Sequence, residues 1–215
     1  MHKALLVDDH AFLRDALAMV MTQEFPTLAL LSAGDLAQAG RVLQAHPDVD
    51  LVLLDLGLPD GQGLDNLTQL RELTQARLVV MSAIDSSDTI LAAIQAGAAG
   101  YIPKTMASGG MLDALRVVMA GGVFLPRTLL DAQPSGPSGS SPADLGLSPR
   151  QGEVLRMLVE GKTNKLISRE LDMSESTVKT HLGAIFRKLD ANSRTQAVVA
   201  AARLGLRLTP GDALH

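Results

Sequence analysis

The sequence predicts a doubly wound α/β domain followed by a smaller all-α domain, and three observations carry this prediction. Between residues 3 and 120, short apolar runs alternate five times with amphipathic helical patterns, as in a parallel sheet covered by helices on both faces. Residues 134–142 read PSGPSGSSP, a composition that cannot bury enough apolar surface to fold. After this stretch, residues 148–204 contain only helical patterns separated by short turns.

The first domain is predicted at residues 1–125, with strands and helices in alternation. The predicted strands are the mostly apolar runs 3–7, 28–31, 51–54, 78–81 and 100–102. The predicted helices, with apolar residues at helical spacing, are 10–21, 36–45, 64–73, 87–96 and 111–120. We expect a flexible linker over residues 126–145, because this range contains the Pro, Ser and Gly stretch.

The second domain is predicted at residues 146–215, and capping residues mark the starts of its helices. A Ser or Thr before an apolar helical run accepts a hydrogen bond from the first free backbone N–H groups. The predicted caps are Ser148, Thr163, Ser174 and Ser193, and Gln151 and Gln196 are placed to complete capping boxes. The helices 164–171 and 175–189 are separated by a three-residue turn, which is typical of a helix-turn-helix unit.

The helix predicted at 175–189 has two distinct faces. Its apolar face carries Val178, Leu182, Ile185 and Leu189, and its opposite face carries Ser176, Thr180, Gly183 and Arg187, with Lys179 beside them. A face of small polar side chains with positive charge at its edges can approach the bases of the DNA major groove. An ordinary amphipathic surface helix has the same pattern, so this helix alone leaves both interpretations open.

Composition excludes several classes of protein. The chain has no Cys, which excludes disulfides, thiol catalysis and zinc sites built on Cys. Four Phe, one Tyr and no Trp argue against binding to single-stranded nucleic acid, which depends on aromatic stacking. No apolar run reaches transmembrane length and no signal-peptide pattern opens the sequence, so we expect a cytoplasmic protein.

Charge is distributed unevenly between the two predicted domains. Residues 1–145 carry 8 Lys and Arg against 16 Asp and Glu, whereas residues 146–215 carry 11 against 7. The basic excess of the second domain favours association with a polyanion such as DNA.

Polar residues interrupt the apolar pattern of the first domain where its predicted strands end. Asp8 and Asp9 follow the first strand, Asp55 the third, Ser82 the fourth and Lys104 the fifth. These ends converge in a doubly wound sheet, so the three carboxylates would repel one another unless a cation such as Mg²⁺ joins them. A carboxylate in such a site can act as a nucleophile toward phosphorus. A single Asp here would be an ordinary helix cap, but the coincidence of five such groups indicates a site.

Four segments resemble the receiver domain of two-component response regulators: VDDH at 7–10, LLDLGLPDGQGL at 53–64, MSA at 81–83 and AGAAGYIPK at 96–104. The resemblance covers nearly all of residues 3–120 and implies a flavodoxin-like (βα)5 fold. It implies that Asp55 accepts a phosphoryl group from a sensor histidine kinase. The implied Mg²⁺ ligands are Asp8, Asp9, Asp55 and the Gly57 carbonyl, and the implied phosphate-binding and switch residues are Ser82, Tyr101 and Lys104.

Thr105 and His10 lie beside the predicted pocket but are not part of the site that the resemblance implies. Thr105 follows Lys104, whereas many receivers have Pro at that position, so the loop departs from the family pattern. His10 follows the two acidic residues and is a candidate metal ligand or phosphoryl relay. We expect it instead to be a residue of the first helical turn.

Residues 147–202, with EGKTNKLIS and STVKTH as the most diagnostic segments, closely resemble the LuxR/FixJ/NarL type of DNA-binding domain. The resemblance implies binding to double-stranded DNA and a homodimer, formed on phosphorylation or on DNA, that recognises inverted half-sites. The implied base-facing residues are Lys179, Thr180 and Gly183, the phosphate contacts are Asn164, Lys165, Arg187, Lys188 and Arg194, and the dimer residues on the last helix are Val199 and Ala202. Relatives often carry a larger polar residue at the position of Gly183. Glycine removes one possible base contact, so the operator sequence cannot be inferred from these residues.

Three functions fit these features. The first is a transcription factor switched by phosphorylation of Asp55. The second is a constitutive or ligand-gated DNA-binding protein with a vestigial receiver, which the complete set of acidic, hydroxyl and lysine residues disfavours. The third is an Mg²⁺-dependent phosphatase or phosphotransferase, which is disfavoured because Gly57 occupies the position where such enzymes carry a general acid.

Overall fold

The computed structural model of the chain describes residues 3–126, 129 and 141–204. The chain divides into two compact units, Met1–Ala107 and Ser108–His215. The fifth helix of the alternating pattern therefore belongs to the second compact unit. The domain boundaries at residues 125 and 146 stay predictions.

The first unit contains a five-stranded sheet with the order β2-β1-β3-β4-β5, in which every strand pair is parallel. The strands are β1 Lys3–Val7, β2 Ala29–Ala33, β3 Leu51–Asp55, β4 Arg77–Ser82 and β5 Gly100–Pro103. All five residues of β3 are buried, so both faces of the sheet are covered there. The predicted doubly wound α/β class is thus confirmed. Strand β2 starts after Leu28 because the Leu28 N–H bonds the Phe25 carbonyl in a turn.

Four helices follow the first four strands: α1 Ala11–Glu24, α2 Leu36–Ala45, α3 Leu64–Leu73 and α4 Ser87–Gln95. Helix α2 buries Leu36, Ala39 and Leu43, a spacing of three and four residues that points one stripe at the sheet. Strand order reverses between β1 and β3, and the carboxyl ends of these two strands flank the crevice where ligands bind in such sheets.

The second unit is helical in its described residues. Its elements are α5 Ser108–Met119, a 3-10 helix Pro142–Leu145, α6 Pro149–Val159, α7 Asn164–Glu170, α8 Glu175–Lys188 and α9 Arg194–Arg203. The core of α6 to α9 includes the fully buried side chains Val154, Leu155, Ile167, Val178 and Ile185. No helix in the described part of the chain has the length and apolarity needed to cross a membrane.

The predicted caps of α6 to α9 are all present, with one difference in detail. At α6, the Ser148 hydroxyl accepts from the Gln151 N–H and the Gln151 side chain accepts from the Ser148 N–H, which completes the predicted box. At α9, Ser193 accepts from the Gln196 N–H, but Gln196 Oε1 accepts from the Asn192 N–H at 2.7 Å. The second box is therefore displaced by one residue, and the reciprocal bond closes the turn before the helix.

The predicted linker, residues 126–145, lies mostly outside the described residues, as does the Pro, Ser and Gly stretch up to residue 140. Its last residues differ from the prediction of a flexible segment. Ser141 caps the 3-10 helix, and the Asp144 side chain accepts from the Ser141 N–H at 2.7 Å. This reciprocal bonding, with Pro142 at the first helical position, explains the local order.

Candidate functional site

The predicted pocket residues lie at strand ends in the first unit. Asp55 and Ser82 are the last residues of β3 and β4, and Asp8 directly follows β1. The backbone N–H of Lys104 bonds the Ser82 carbonyl at 2.7 Å, which carries the β4–β5 pairing one residue past β5. Parallel pairing therefore brings four chain segments to the same edge of the sheet.

Lys104 joins the two most buried carboxylates of the pocket. Its Nζ lies 2.7 Å from Asp8 Oδ2 and 2.5 Å from Asp55 Oδ2. Asp8 is fully buried and Asp55 is 5% exposed. Backbone N–H groups bind the other oxygens: His10 N–H donates to Asp8 Oδ1 at 2.9 Å, and Gly57 N–H donates to Asp55 Oδ1 at 3.1 Å. Both carboxylates are thereby held in defined orientations.

The pocket also has the donor set of a hard divalent cation. One oxygen each from Asp8, Asp9 and Asp55 and one nitrogen from His10 all lie within 4.8 Å of one another. Carboxylate oxygens around an open position suit Mg²⁺, which keeps several waters. The carboxylates present therefore fit the predicted cation. Gly57 contacts Asp55 through its N–H, and the role of the Gly57 carbonyl as a ligand stays a prediction.

His10 occupies the N-cap position of α1, one residue before the helix, with an extended backbone. The expectation of a first-turn residue was wrong by one position. Its Nδ1 lies 2.8 Å from Asp9 Oδ1 and 3.4 Å from Asp8 Oδ1. Its ring is therefore engaged with the acidic pair rather than with the N–H groups of the helix.

Ser82 and Tyr101 meet at the backbone of Ile84. Ser82 Oγ accepts from the Ile84 N–H at 3.2 Å, and Tyr101 Oη donates to the Ile84 carbonyl at 2.5 Å. Tyr101 is fully buried. Burial raises the pKa of the Tyr101 hydroxyl, the hydrogen bond with Ser82 lowers this pKa, and the negative charges of Asp85 and Asp55 raise it further. The predicted switch residues thus share one contact point on the loop after β4.

A cavity of about 670 Å³ opens above Asp55. Besides the polar residues His10, Asp55, Ser82, Thr89 and Lys104, its lining contains apolar side chains, among them Phe12, Leu13, Leu56, Leu64 and Ile84. Phe12 is 88% exposed and Ile84 is 54% exposed. The acidic pocket is therefore reached from solvent past an apolar rim.

Three polar residues near the pocket were not predicted from the sequence. Arg14 Nη1 donates to the Asp8 carbonyl at 2.6 Å, Asn66 Nδ2 donates to the Leu56 carbonyl at 3.1 Å, and the Asp60 carboxylate binds the start of α2. Only Asn66 left a signal in the sequence, because it is a polar residue beside Leu67 and Leu70 on the buried face of α3.

The two predicted faces of α8 are confirmed in the second unit. Val178, Leu182, Ile185 and the following Leu189 are buried, whereas Lys179, Thr180, Gly183 and Arg187 are exposed. A Cβ built on Gly183 would have open space around it. Helix α8 follows α7 after a short turn in which Asp172 has a φ of 49°. The exposed face is free to approach a groove closely at Gly183.

The five predicted phosphate contacts are not equivalent. Lys165 and Arg187 are exposed. Lys188 Nζ donates to the Gly146 carbonyl and, at 3.0 Å, to Gln151 Oε1. Arg194 donates to the Lys162 carbonyl and, at 3.2 Å, to Asn164 Oδ1. Lys188, Arg194 and Asn164 therefore hold elements of the domain together, a role that their charge and polarity did not reveal in the sequence.

The predicted dimer residues of α9 differ in exposure. Ala202 is half-buried, but Val199 is only 7% exposed. The expectation that Val199 belongs to the apolar surface of α9 is corrected, because its side chain packs into the core of the domain.

Comparison with known proteins covers both units. The family model "Response regulator receiver domain" matches residues 4–116, and "Bacterial regulatory proteins, luxR family" matches residues 145–201. The "Glycerol metabolism activator" of Pseudomonas putida is 36% identical over 210 residues, covering 94% of this chain and 95% of the relative. The nitrate/nitrite response regulator NarL of Escherichia coli strain K12 is 34% identical over 200 residues, covering 91% and 92%.

Among solved structures, a LuxR family DNA-binding response regulator from Silicibacter pomeroyi matches with a TM-score of 0.52 and 29% identity. The match covers 60% of this chain and 99% of that structure. The pocket at the sheet edge and the two-faced helix thus occur in a chain whose two parts match two families of bacterial regulators.

Proposed function

The chain belongs to the two-component response regulators with a LuxR-type DNA-binding domain, and from this premise we propose that phosphorylation of Asp55 switches its binding to DNA. One observation supports this most strongly: Lys104 lies within ion-pair distance of both Asp8 and Asp55, and Ser82 ends the strand beside β3. A nucleophilic carboxylate, acidic metal ligands, a hydroxyl and a cation are therefore present together.

The proposed chemistry is a phosphoryl transfer from a sensor histidine kinase. A carboxylate oxygen of Asp55 attacks the phosphorus of the kinase phosphohistidine, an O–P bond forms, and the N–P bond breaks to leave the histidine. Mg²⁺ held by Asp8, Asp9, Asp55 and the Gly57 carbonyl would neutralise the phosphoryl oxygens. Lys104 adds a fixed positive charge at the same place, which stabilises the transferring group and the acyl phosphate.

The proposed switch acts through Ser82. A phosphoryl oxygen on Asp55 is a stronger acceptor than any neutral group nearby and attracts the Ser82 hydroxyl. The hydrogen bond from the Ile84 N–H to Ser82 Oγ then breaks. The hydrogen bond from Tyr101 Oη to the Ile84 carbonyl changes as a consequence. Because Ile84 is 54% exposed, this local change alters the surface of the loop after β4.

In the second unit, α8 is proposed to enter the major groove of double-stranded DNA, with Lys179, Thr180 and Gly183 toward the base edges. Lys165 and Arg187 are proposed as phosphate contacts, because they are exposed. Asn164, Lys188 and Arg194 are weaker candidates, since each makes a hydrogen bond within the domain. A homodimer joined near Ala202 on α9 would place two copies of α8 on inverted half-sites.

An enzyme and a DNA-binding protein with a vestigial receiver are the two alternatives to the proposed switch. The chain is a DNA-binding regulator and not an enzyme, in agreement with its relatives. Since bacterial DNA lies in the cytoplasm, the proposal places the protein there. A vestigial receiver, which would leave DNA binding independent of Asp55, is the alternative that experiment must separate from the switch.

The test uses beryllofluoride with Mg²⁺, which mimics the acyl phosphate. The DNA probe is a duplex selected from a random library by the treated protein. Solution mass and affinity for this duplex are measured for the wild type and Asp55→Asn, with and without beryllofluoride, and with Asp48→Asn as a control for an exposed carboxylate. We expect a shift in the wild type and Asp48→Asn but not in Asp55→Asn. Tight binding that no treatment changes would favour the vestigial receiver.

A further inference from the structure

The loop between β3 and α3 carries one of the proposed metal ligands and is rich in glycine. Residues 56–63 read LGLPDGQG, and glycine stands at positions 57, 61 and 63, the last with a φ of +50°. Glycine loses more conformational freedom on ordering than any other residue. The position of the Gly57 carbonyl therefore depends on the contacts that hold the loop backbone, which include the burial of Leu56 and Leu58 and hydrogen bonds to the helices on either side.

Asp60 connects this loop to a distant helix. Its Oδ1 accepts from the Leu36 N–H at 2.9 Å and its Oδ2 from the Ala37 N–H at 3.0 Å. These are the first two N–H groups of α2, which have no partner within the helix and carry the positive end of the helix dipole. The hydrogen bond from Leu36 lowers the pKa of Asp60, and that from Ala37 adds to the effect, so the carboxylate stays ionised at neutral pH.

A second contact fixes the same loop on its other side. Asn66 is fully buried in α3, and its Nδ2 donates to the carbonyl of Leu56 at 3.1 Å. A Cβ built on Gly61 would overlap the Asn66 side chain, so the loop backbone packs directly against this residue. The peptide groups on both sides of Gly57 therefore belong to a segment bound at two points, one on α2 and one on α3.

Asp60 binds the start of α2 without being its N-cap residue. The helix already has an N-cap residue of its own, Asp35, whose side chain accepts from the Gln38 N–H at 2.6 Å. Asp60 is a second carboxylate at the same helix start, brought there from a loop 24 residues further along the chain. What distinguishes the two carboxylates is that only Asp60 belongs to the segment that contains Gly57.

We propose that Asp60 is a positioning residue that holds the Gly57 carbonyl in place for the divalent cation by tying the β3–α3 loop to the start of α2. This inference rests on the proposed metal site at Asp8, Asp9 and Asp55. Asp60 does not touch the cation. It reduces the conformational freedom that the loop loses when the cation binds, so its removal lowers cation affinity without removing a ligand.

The experiment compares two carboxylates at one helix end. Mg²⁺ is titrated into the full chain by isothermal calorimetry for the wild type, Asp60→Ala and Asp35→Ala. Both variants lose a negative charge at the start of α2, with one hydrogen bond in Asp35→Ala and two in Asp60→Ala, but only Asp60→Ala releases the loop. We expect Asp60→Ala to weaken Mg²⁺ binding about tenfold, the lower end of the effect of residues that orient metal ligands. Asp35→Ala should bind Mg²⁺ with nearly the wild-type affinity.

A conservative variant and a second readout separate positioning from general damage. Asp60→Asn keeps one acceptor oxygen, so its Mg²⁺ affinity should lie between those of the wild type and Asp60→Ala. Hydrogen exchange in the metal-free protein should be faster for the amides of residues 56–63 in Asp60→Ala than in Asp35→Ala. Equal Mg²⁺ affinities in the two alanine variants would overturn the positioning role while leaving the metal site standing. A wild type that binds no Mg²⁺ would overturn the metal site and this inference together.

Discussion

The acidic pocket of the first unit and the outer face of α8 in the second unit lie at opposite extremes of burial. In the pocket, Asp8 and Asp55 are 0% and 5% exposed and share the ammonium of Lys104. On α8, Lys179, Thr180, Gly183 and Arg187 are all exposed.

This difference predicts two kinds of response to substitution. Charges removed from water interact strongly, and removal of one partner leaves the others uncompensated. Charges in water interact weakly, are screened by salt and contribute in an approximately additive way. The pocket should therefore respond to single changes as a unit, whereas the DNA-binding face should respond residue by residue.

The largest effect is expected for Lys104→Met. This substitution leaves two buried carboxylates without their cation, so in metal-free buffer the free energy of unfolding should fall by about 3 kcal/mol. Added Mg²⁺ should restore part of the loss, because a divalent cation compensates the same carboxylates. Urea unfolding with EDTA or with Mg²⁺ measures both quantities.

The matched control for this prediction is Lys3→Met, which breaks the ion pair with Asp48, whose side chain is 65% exposed. It should change stability far less and should show no response to Mg²⁺. Equal losses in the two lysine variants would contradict the contrast between buried and exposed charge.

The next effect concerns Lys165, a proposed phosphate contact. Lys165→Ala should weaken binding to every duplex by a similar factor and reduce the slope of log affinity against log salt by about 0.9. Fluorescence anisotropy with two unrelated duplexes over a range of salt concentrations measures this. Arg203→Ala removes an exposed charge at the end of α9, outside the proposed surface, and should leave the slope unchanged. If Lys165→Ala altered the preference between duplexes instead, it would be a base contact.

A smaller effect tests the shape of the α8 face. Gly183→Ala places a methyl group in open space within a helix, so it should raise the free energy of unfolding by about 0.5–1 kcal/mol. The same methyl group should lower DNA affinity if DNA approaches Gly183 closely. Gly109→Ala in α5, where a Cβ also meets nothing, is the control and should leave affinity unchanged. Equal or tighter DNA binding by Gly183→Ala would mean that DNA does not approach α8 closely at Gly183.

The smallest effect is a pH dependence from Tyr101, the one tyrosine of the chain. Burial raises the pKa of its hydroxyl, so the folded protein favours the neutral form. This contribution to stability is fully present below about pH 10, the pKa of an unfolded tyrosine, and is lost as the pH rises through the higher folded value. Tyrosinate absorbance should therefore titrate above the usual range. Urea unfolding of wild type against Tyr101→Phe should show a stability difference that shrinks at alkaline pH, and a constant difference would contradict it.

Much of the fold follows from local patterns. Strand β3 is predictable because a run of apolar residues bounded by polar ones has one stable placement, inside a covered sheet. The starts of α6 to α9 are predictable because Ser and Thr caps act within three residues. The faces of α8 follow from helical periodicity. Errors concentrate at element ends. His10 precedes α1 by one residue, and Gln196 Oε1 accepts from the Asn192 N–H and not from the neighbouring Ser193 N–H.

The sequence by itself determined the chemistry of this protein: which carboxylates, hydroxyl and lysine stand at strand ends, and which helix presents small and basic residues outward. These features depend on short-range periodicity and on the rule that parallel strands end at one edge. Only the tertiary structure decided which polar groups serve as supports and which apolar side chain of α9 is buried. Asp60 on α2, Arg194 on the Lys162 carbonyl and Val199 in the core depend on contacts between distant segments. Such contacts leave no local pattern, because a carboxylate, guanidinium or apolar side chain has the same residue type whether it faces solvent, DNA or another part of its own chain.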